Sequence, residues 1–385
     1  MVEEDFRSCS RTRADPDVIY GVRVSDFDFQ LPEELIAQEP LPDRSSSRML
    51  HLSRPESRIA DRQFQDFPDL VRPDDLIVFN NSRVFPARLF GRRLRSGVES
   101  STSNLSSVLS LSGRIETLLT HQTSTDPNEW ECLVRPGRKI GIGDELVFGD
   151  QNQLRAEVVS RSGFGERRIR FQPVPDFFSL VEVLGHIPLP PYIARTDSAA
   201  DRDRYQTVYA RERGSVAAPT AGLHFSPEVL DRIRQRGIGM AEITLHVGLG
   251  TFQPVRVETV EAHKIHAESY SISADSAANI NAALASARRI VAVGTTTLRA
   301  LEHAALANSG RIHEGSAKAD IFIYPGYRFQ VAGALLTNFH LPQSTLLMLV
   351  CAFAGTASVL AAYRHAIAER YRFYSYGDCM LLEGQ

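Results

Sequence analysis

Cysteine is scarce and scattered. Its four copies, Cys9, Cys132, Cys351 and Cys379, form no CxxC pair, which argues against a zinc ribbon or a disulfide-stapled scaffold and for a cytoplasmic protein. Excess charge is missing too: 43 Lys and Arg stand against 46 Asp and Glu, a net charge of -3, so nucleic acid is not coated by bulk charge, although local basic patches remain open. The N-terminal MVEEDFRSCSRTRADPD has no apolar h-region, and no secretory signal is expected. There is no GxGxxG, no P-loop lysine after the GTTT of residues 294–297, and no HExxH. Dinucleotide binding, nucleotide hydrolysis and zinc-hydrolase chemistry therefore lack their motifs. One run, residues 341–363, carries no charge and is long enough to span a bilayer. Pro342, Gln343, Ser344, Thr345, Gly355, Thr356 and Ser358 interrupt it and no second span follows, so a buried helix and no membrane are expected.

What is present is ordinary globular material: 385 residues, 43% hydrophobic and 23% charged, enough for two domains or one large domain with an insertion. Residues 1–20 read as a polar, flexible extension. A short helix signal follows at 32–38, where Pro32, Glu33 and Glu34 suit a first turn. From 75 to 177 come short runs rich in β-branched and aromatic residues, LIVFNNSRVFPARLFGRRL, RIETLLT, EWECLVRP, DELVFG, LRAEVVS and RRIRFQ, the pattern of a small β-barrel or sandwich. The serine-rich 96–112 inside it reads as a surface loop. Residues 21–74 and 178–385 together read as an α/β domain, because helices and strands alternate there: SPEVLDRIRQRGI is a helix with Ser226 as N-cap, Pro227 at its first position and Gly237 as its stop, and AEITLHVGLG is a strand. The fold expected is a mixed sheet flanked by helices, with an inserted small β-barrel.

Reactive groups in open α/β sheets collect at the carboxyl ends of strands. Four such ends share one style here: SVAAPTAGLHFSPE, TLHVGLGTFQPV, VAVGTTTLRALE and LLTNFHLPQSTLL. They bring Gly222, Gly248, Gly250, Thr251, Gly294, Thr295 and Thr296 where backbone N–H groups and hydroxyls face a ligand, and the turn at Gly294 suits an anion at a helix N-terminus. His224, His246, His263, His266 and His340 fall in or beside these loops. The HKIHAE spacing fits a metal, but no recognised ligand frame accompanies it and none is expected; proton transfer by a histidine or by Glu268 is the better reading. Arg83, Arg88, Arg92, Arg93 and Arg95 cluster on and after one strand, and Arg161, Arg167, Arg168 and Arg170 on another. They read either as a solvated barrel face or as a phosphate-contacting stripe.

Longer blocks carry a resemblance: DFDFQLPEELIAQEPLPDRSSSRML, NNSRVFPARLFG, WECLVRPGRKIGIGDEL, GHIPLPPYI, DRDRYQTVYA, GSVAAPTAGLHF, TLHVGLGTFQPV, HKIHAESY, VAVGTTTLRALE, DIFIYPGYRF, LLTNFHLPQSTLLMLVCAFAG and YRFYSYGDCMLL. In order from about residue 24 to residue 382, they resemble the S-adenosylmethionine:tRNA ribosyltransferase-isomerase family of the queuosine pathway. The departures are the N-terminal extension, the serine-rich stretch, and Ser269 where the family usually has an aromatic residue.

The resemblance implies an α/β domain with an inserted barrel, S-adenosylmethionine as co-substrate without a metal, and as partner a tRNA bearing 7-aminomethyl-7-deazaguanine in its anticodon. It further implies that the ribosyl group moves to that base and isomerises to an epoxycyclopentanediol, giving epoxyqueuosine, adenine and methionine. On this reading His224, His246, His266, Glu268 and His340 include the proton-transfer groups. The glycines and threonines above hold the co-substrate, with Thr295 and Thr296 orienting it. Arg83, Arg88, Arg92, Arg93, Arg167 and Arg168 contact the tRNA, and Tyr324, Phe252 or Phe339 stacks on a base. The chain is expected to act as a cytoplasmic monomer. The rival readings are a methyltransferase, whose acidic glycine-rich loop is not evident, and a non-catalytic RNA-binding module, which leaves the Gly/Thr/His loops unexplained.

Overall fold

LIVFN, IVAV and ALLTN are apolar in nearly every position, and each forms a strand buried along its whole length in the middle of a sheet. The computed structural model describes residues 21–53, 58–94, 113–248, 255 and 257–384, apart from the side chain of residue 164. The N-terminal extension, the serine-rich stretch 96–112, Cys9, Arg95, Gly250, Thr251 and Phe252 lie outside the described residues.

In chain order the strands are β1 (Arg48–Ser53), β2 (Arg58–Gln63), β3 (Leu76–Asn80), β4 (Ser82–Val84), β5 (Arg88–Leu94), β6 (Ile115–Thr125), β7 (Asn128–Arg135), β8 (Glu145–Phe148), β9 (Leu154–Arg161), β10 (Glu166–Phe171), β11 (Glu212–Ser215) and β12 (Gly239–Leu245). They continue with β13 (Glu268–Ile272), β14 (Ile290–Val293), β15 (Gly315–Ala319), β16 (Ala334–Asn338) and β17 (Cys379–Glu383). The main sheet has nine strands in the order β15-β13-β12-β3-β14-β16-β17-β1-β2. β12, β3, β14 and β16 run parallel, and their carboxyl ends share one edge of the sheet with the amino ends of antiparallel β13 and β17.

Strand alternation divides the core into two layers. Leu76 and Val78 of β3, Ile290 and Ala292 of β14, and Met380 and Leu382 of β17 pack into one. Ile77 and Phe79, Val291 and Val293, and Cys379 and Leu381 pack into the other. The first layer is covered by helices Ala274–Ala285, Thr295–Ala307, Thr345–Ala354 and Thr356–Ala368, the second by Pro227–Gln235. That last helix has the expected caps: Ser226 accepts from the Val229 N–H, Pro227 opens it, and Gly237 follows its end at φ +71°. The uncharged run 341–363 is two helices bent by 114° at Gly355, whose φ of +86° suits a residue without a side chain. Among the described residues no single helix is long and apolar enough to cross a membrane.

β5 to β10 form a closed antiparallel barrel in the order β10-β7-β6-β5-β8-β9, with its own apolar interior. The fold is thus a mixed sheet flanked by helices with an inserted β-barrel. Three local expectations differ from what is found. Leu76–Asn80, read as part of the barrel, is the centre of the main sheet, and the barrel strands begin only at Arg88. Its burial on both faces reflects helices on both sides, which a barrel wall facing solvent lacks. The helix signal at 32–38 is a single 3-10 turn, Glu33–Leu35. The strand read at KADIFIYPG is Gly315–Ala319, and the apolar residues after it form a loop. Because the chain enters the barrel from the carboxyl end of β3, the barrel is attached at the edge of the sheet where the parallel strands end.

Candidate active site

At that edge two hollows adjoin, sharing Thr295, Thr296 and Leu346. Both threonines open the helix Thr295–Ala307, which follows β14 through Gly294 at φ +95° and has no side-chain N-cap. The first N–H groups of this helix therefore rely on something other than a capping side chain, an arrangement that favours negative charge. The first hollow is lined by His266, Glu268, Arg299, Phe322 and Ile323. Glu268, at the start of β13, is 5% exposed and ion-paired to Arg299, itself 7% exposed. The Gly248 N–H also donates to Glu268 Oε1 at 3.3 Å. Arg299 stands one turn into the helix from Thr295, so the i, i+4 spacing puts both on one face.

The second hollow is lined by Ala218–Ala221, Val247, Thr337, Asn338, His340, Tyr192, Tyr374 and Ser375. His340 is held at two points: its N–H donates to Tyr363 Oη at 2.8 Å and its Nε2 lies 2.8 Å from Thr337 Oγ1. Burial pushes its pKa down to about 3. His224 ends the 3-10 turn Thr220–His224 and lies in a neighbouring hollow with Arg44, Ser47 and Arg204 that meets the second one at Ser375. Its Nδ1 is 2.7 Å from Ser47 Oγ. Burial lowers its pKa to about 4, against a smaller upward pull from Asn338. Both rings are therefore neutral at pH 7, able to accept a proton but not stored as imidazolium.

That neutrality has a consequence for stability. In the unfolded chain these histidines protonate near pH 6.5, whereas the folded protein resists until about pH 4 for His224 and about pH 3 for His340. Acidification from pH 6.5 thus favours the unfolded state, by up to about 1.4 kcal/mol per pH unit for each ring. Urea unfolding at pH 7, 6 and 5 should show that loss, and His340→Gln should flatten the slope by about one proton. An unchanged slope would refute the assignment.

The other sequence candidates divide between the cleft and other parts of the fold. His246 shares strand parity with Met240, Glu242 and Thr244, so it lies on the opposite face of β12 from Val247 and lines a separate broad groove with Asn81 and Arg211. Its ring packs on Gly214, where a Cβ would come within 2.7 Å of it. Ser269 alternates with Glu268, and its carbonyl accepts the His246 N–H at 3.1 Å, so the position that is usually aromatic faces away from the cleft. Gly222 packs against Tyr209, whose Oη would be 2.2 Å from a Cβ there. Gly248 adjoins Glu268, and Gly294, Thr295 and Thr296 line the cleft. Phe339 packs among Tyr363, Tyr371 and Phe373 and also lines the second hollow, while Tyr324 packs beside Phe322. Among the described residues no group of three or more His, Cys, Asp or Glu is placed to hold a metal ion.

The arginines divide the same way. Arg167 alternates inward with Ile169 and Phe171, is 3% exposed, and donates to the carbonyls of Gly137, Ile140 and Glu166. Its guanidinium is a barrel strut. Arg168 and Arg83 are exposed on β10 and β4. Arg88 pairs with Glu116 at 3.1 Å, Arg93 with Asp144 at 3.3 Å, and Arg92 donates to Asn152. Sequence motifs do not point to several of the cleft residues, among them Arg299, Asn338, Tyr192 and Tyr374. Arg299 was detectable as the first charged residue of its helix, four positions after Thr295, with Glu302 one turn further on.

A mixed α/β sheet with a cleft at its parallel carboxyl ends, where polar side chains sit among apolar ones, and a barrel inserted beside it define a two-part α/β protein with an enzyme-like site. The chain belongs to the queuosine biosynthesis protein family, which it matches over residues 24–382. A protein of Solibacter usitatus named S-adenosylmethionine:tRNA ribosyltransferase-isomerase is 54% identical over 364 residues, 94% of this chain and 100% of that protein. One of the same name from Moorella thermoacetica is 50% identical over 363 residues, again 94% of this chain and 100% of its own length. The crystal structure of the S-adenosylmethionine tRNA ribosyltransferase of Thermotoga maritima, 36% identical, superposes with a TM-score of 0.51 and covers 93% of this chain and 100% of that one.

Proposed function

We propose that this chain transfers and isomerises the ribosyl group of S-adenosylmethionine onto 7-aminomethyl-7-deazaguanine in a tRNA anticodon, releasing adenine and methionine. The observation that carries this reading is the Glu268–Arg299 pair beside Thr295 and Thr296, in a cleft with neutral His340, within a chain of this family. S-adenosylmethionine carries a sulfonium, an ammonium and a carboxylate. Glu268 suits the cations, while Arg299 and the uncapped helix start suit the carboxylate.

The sulfonium acidifies the C5′ protons, so a base near the ribose can begin the rearrangement; Glu268 and His266 line that hollow. Adenine must gain a proton as it leaves, and the base's amine must be held close to the ribose. His340 and Thr337 are hydrogen-bonded to each other in the second hollow, within reach of a group bound there. The exposed Arg83 and Arg168 suit contacts to tRNA phosphates; Arg167 serves the barrel interior.

The test is the product balance. Purified protein given S-adenosylmethionine and precursor-base tRNA should release adenine and methionine in equal amounts, and neither without tRNA. S-adenosylhomocysteine in their place would identify a methyltransferase and overturn the reading.

A further inference from the structure

Asn338 ends β16 and is only 2% exposed. Its Nδ2 donates to the Tyr374 carbonyl at 2.9 Å. That bond fixes the rotation of the amide, since the flipped form would set oxygen against oxygen. Oδ1 is consequently turned the other way, where it is buried and shares a side-chain hydrogen bond with His224. His224 Nε2 is the ring atom left for that bond, since Nδ1 lies against Ser47 Oγ. An amide oxygen has two lone pairs, so a contact to His224 and a ligand N–H are compatible.

The walls beside this amide are aromatic. The rings of Tyr192 and Tyr374 have centroids 4.6 Å apart at 48°, and both line the second hollow. Tyr192 Oη is fixed to Ser375 Oγ at 2.7 Å. Tyr374 has φ +71°, an uncommon conformation for a tyrosine, and its carbonyl is held by both Asn338 and the Gly377 N–H. A fixed amide edge against fixed aromatic faces is a site for a flat heterocycle with a donor next to an acceptor. Adenine has such an edge in its N6–H and N7, which asparagine reads in a bidentate manner.

Resting on the function proposed above, we infer that Asn338, with Tyr192 and Tyr374 as its wall, binds the adenine of S-adenosylmethionine, N6–H donating to Oδ1 and Nδ2–H donating to N7. The methionyl end then lies toward Arg299 and Glu268, across Thr295 and Thr296, which the two hollows share. The depth of Asn338 favours the base of a free small molecule over one tethered to tRNA.

The test is equilibrium binding by calorimetry to the full chain, with and without a tRNA lacking the aminomethyl group, so that no turnover occurs. The probes are S-adenosylmethionine, its analogue without the N6 amine, and its 7-deazaadenine analogue. Wild-type protein should bind each analogue about 10- to 100-fold more weakly than S-adenosylmethionine. Asn338→Ala should bind all three within about threefold of one another, each more weakly than wild type binds S-adenosylmethionine. Tyr192→Leu should weaken all three while keeping the discrimination.

Equal binding of the three probes by wild type overturns the inference without any variant, as does failure to bind S-adenosylmethionine in either condition. Undiminished discrimination in Asn338→Ala overturns it as well. So does a variant that loses affinity for precursor tRNA alone, which would mean that the amide reads the target base. Discrimination at this site in a protein that releases no adenine would support the inference and remove the reaction instead.

Discussion

Glu268→Gln is expected to cut adenine release at saturating substrates by about 10²- to 10³-fold while leaving the fold intact. The substitution keeps size and one acceptor oxygen but deletes the one negative charge identified in the first hollow, where the side chain is 5% exposed and paired with Arg299. Two effects add. A cationic sulfonium loses its counter-charge where water no longer screens it, and a proton acceptor becomes an amide that cannot take the C5′ proton. The loss belongs mainly in kcat, because a proton in flight exists only at the transition state. Turnover within threefold of wild type would show that Glu268 only balances Arg299. A thermal melt separates this from unfolding: glutamine keeps one acceptor oxygen, which meets Arg299 or the Gly248 N–H but not both, so only a modest drop in the midpoint is expected.

Asp75→Ala is expected to do the reverse, lowering stability by about 3–5 kcal/mol with little change in turnover per folded molecule. Asp75 is fully buried and takes two bonds from Arg289, Nε to Oδ1 at 2.9 Å and an N–H to Oδ2 at 2.6 Å. Arg289 also reaches Glu383 at 2.8 Å, so one guanidinium ties the amino end of β3 to the far end of β17. Removing Asp75 leaves a cation in a pocket where its side chain is 9% exposed, with only the partly exposed Glu383 beside it. The expected drop in the unfolding midpoint is about 5–15 °C. Because the triad lies at the end of β3 opposite the cleft, about 17 Å along the strand, adenine release per active molecule should stay near wild type. A midpoint within 2 °C of wild type, or a loss of turnover as large as that of Glu268→Gln, would contradict this account.

Features written in a few neighbouring residues were legible before any coordinates. Ser226, Pro227 and Gly237 bound their helix because capping is local chemistry, and the four loops at the strand ends were recognisable by their small and polar residues. Parity is legible too: Ile243 and Leu245 alternate with Thr244 and His246, which separates His246 from Val247, and Arg167 alternates with Ile169 and Phe171. What could not be read locally is pairing. Nothing in LIVFN tells a barrel strand from a central strand until β12 and β14, which lie more than 150 residues downstream, align beside it. The same holds for Asn338. Its functional interest comes from the Tyr374 carbonyl that turns its amide, a contact across 36 residues that no motif encodes.

The most direct test of the central claim uses S-adenosylmethionine labelled with ¹³C throughout the ribose, incubated with the protein and precursor-base tRNA, followed by mass analysis of the digested nucleosides. The account predicts that the modified base gains a cyclopentane-sized group carrying all of the ribose label, with unlabelled adenine and methionine in solution. A base that gains only an unlabelled methyl group, with the ribose label retained in S-adenosylhomocysteine, would contradict it.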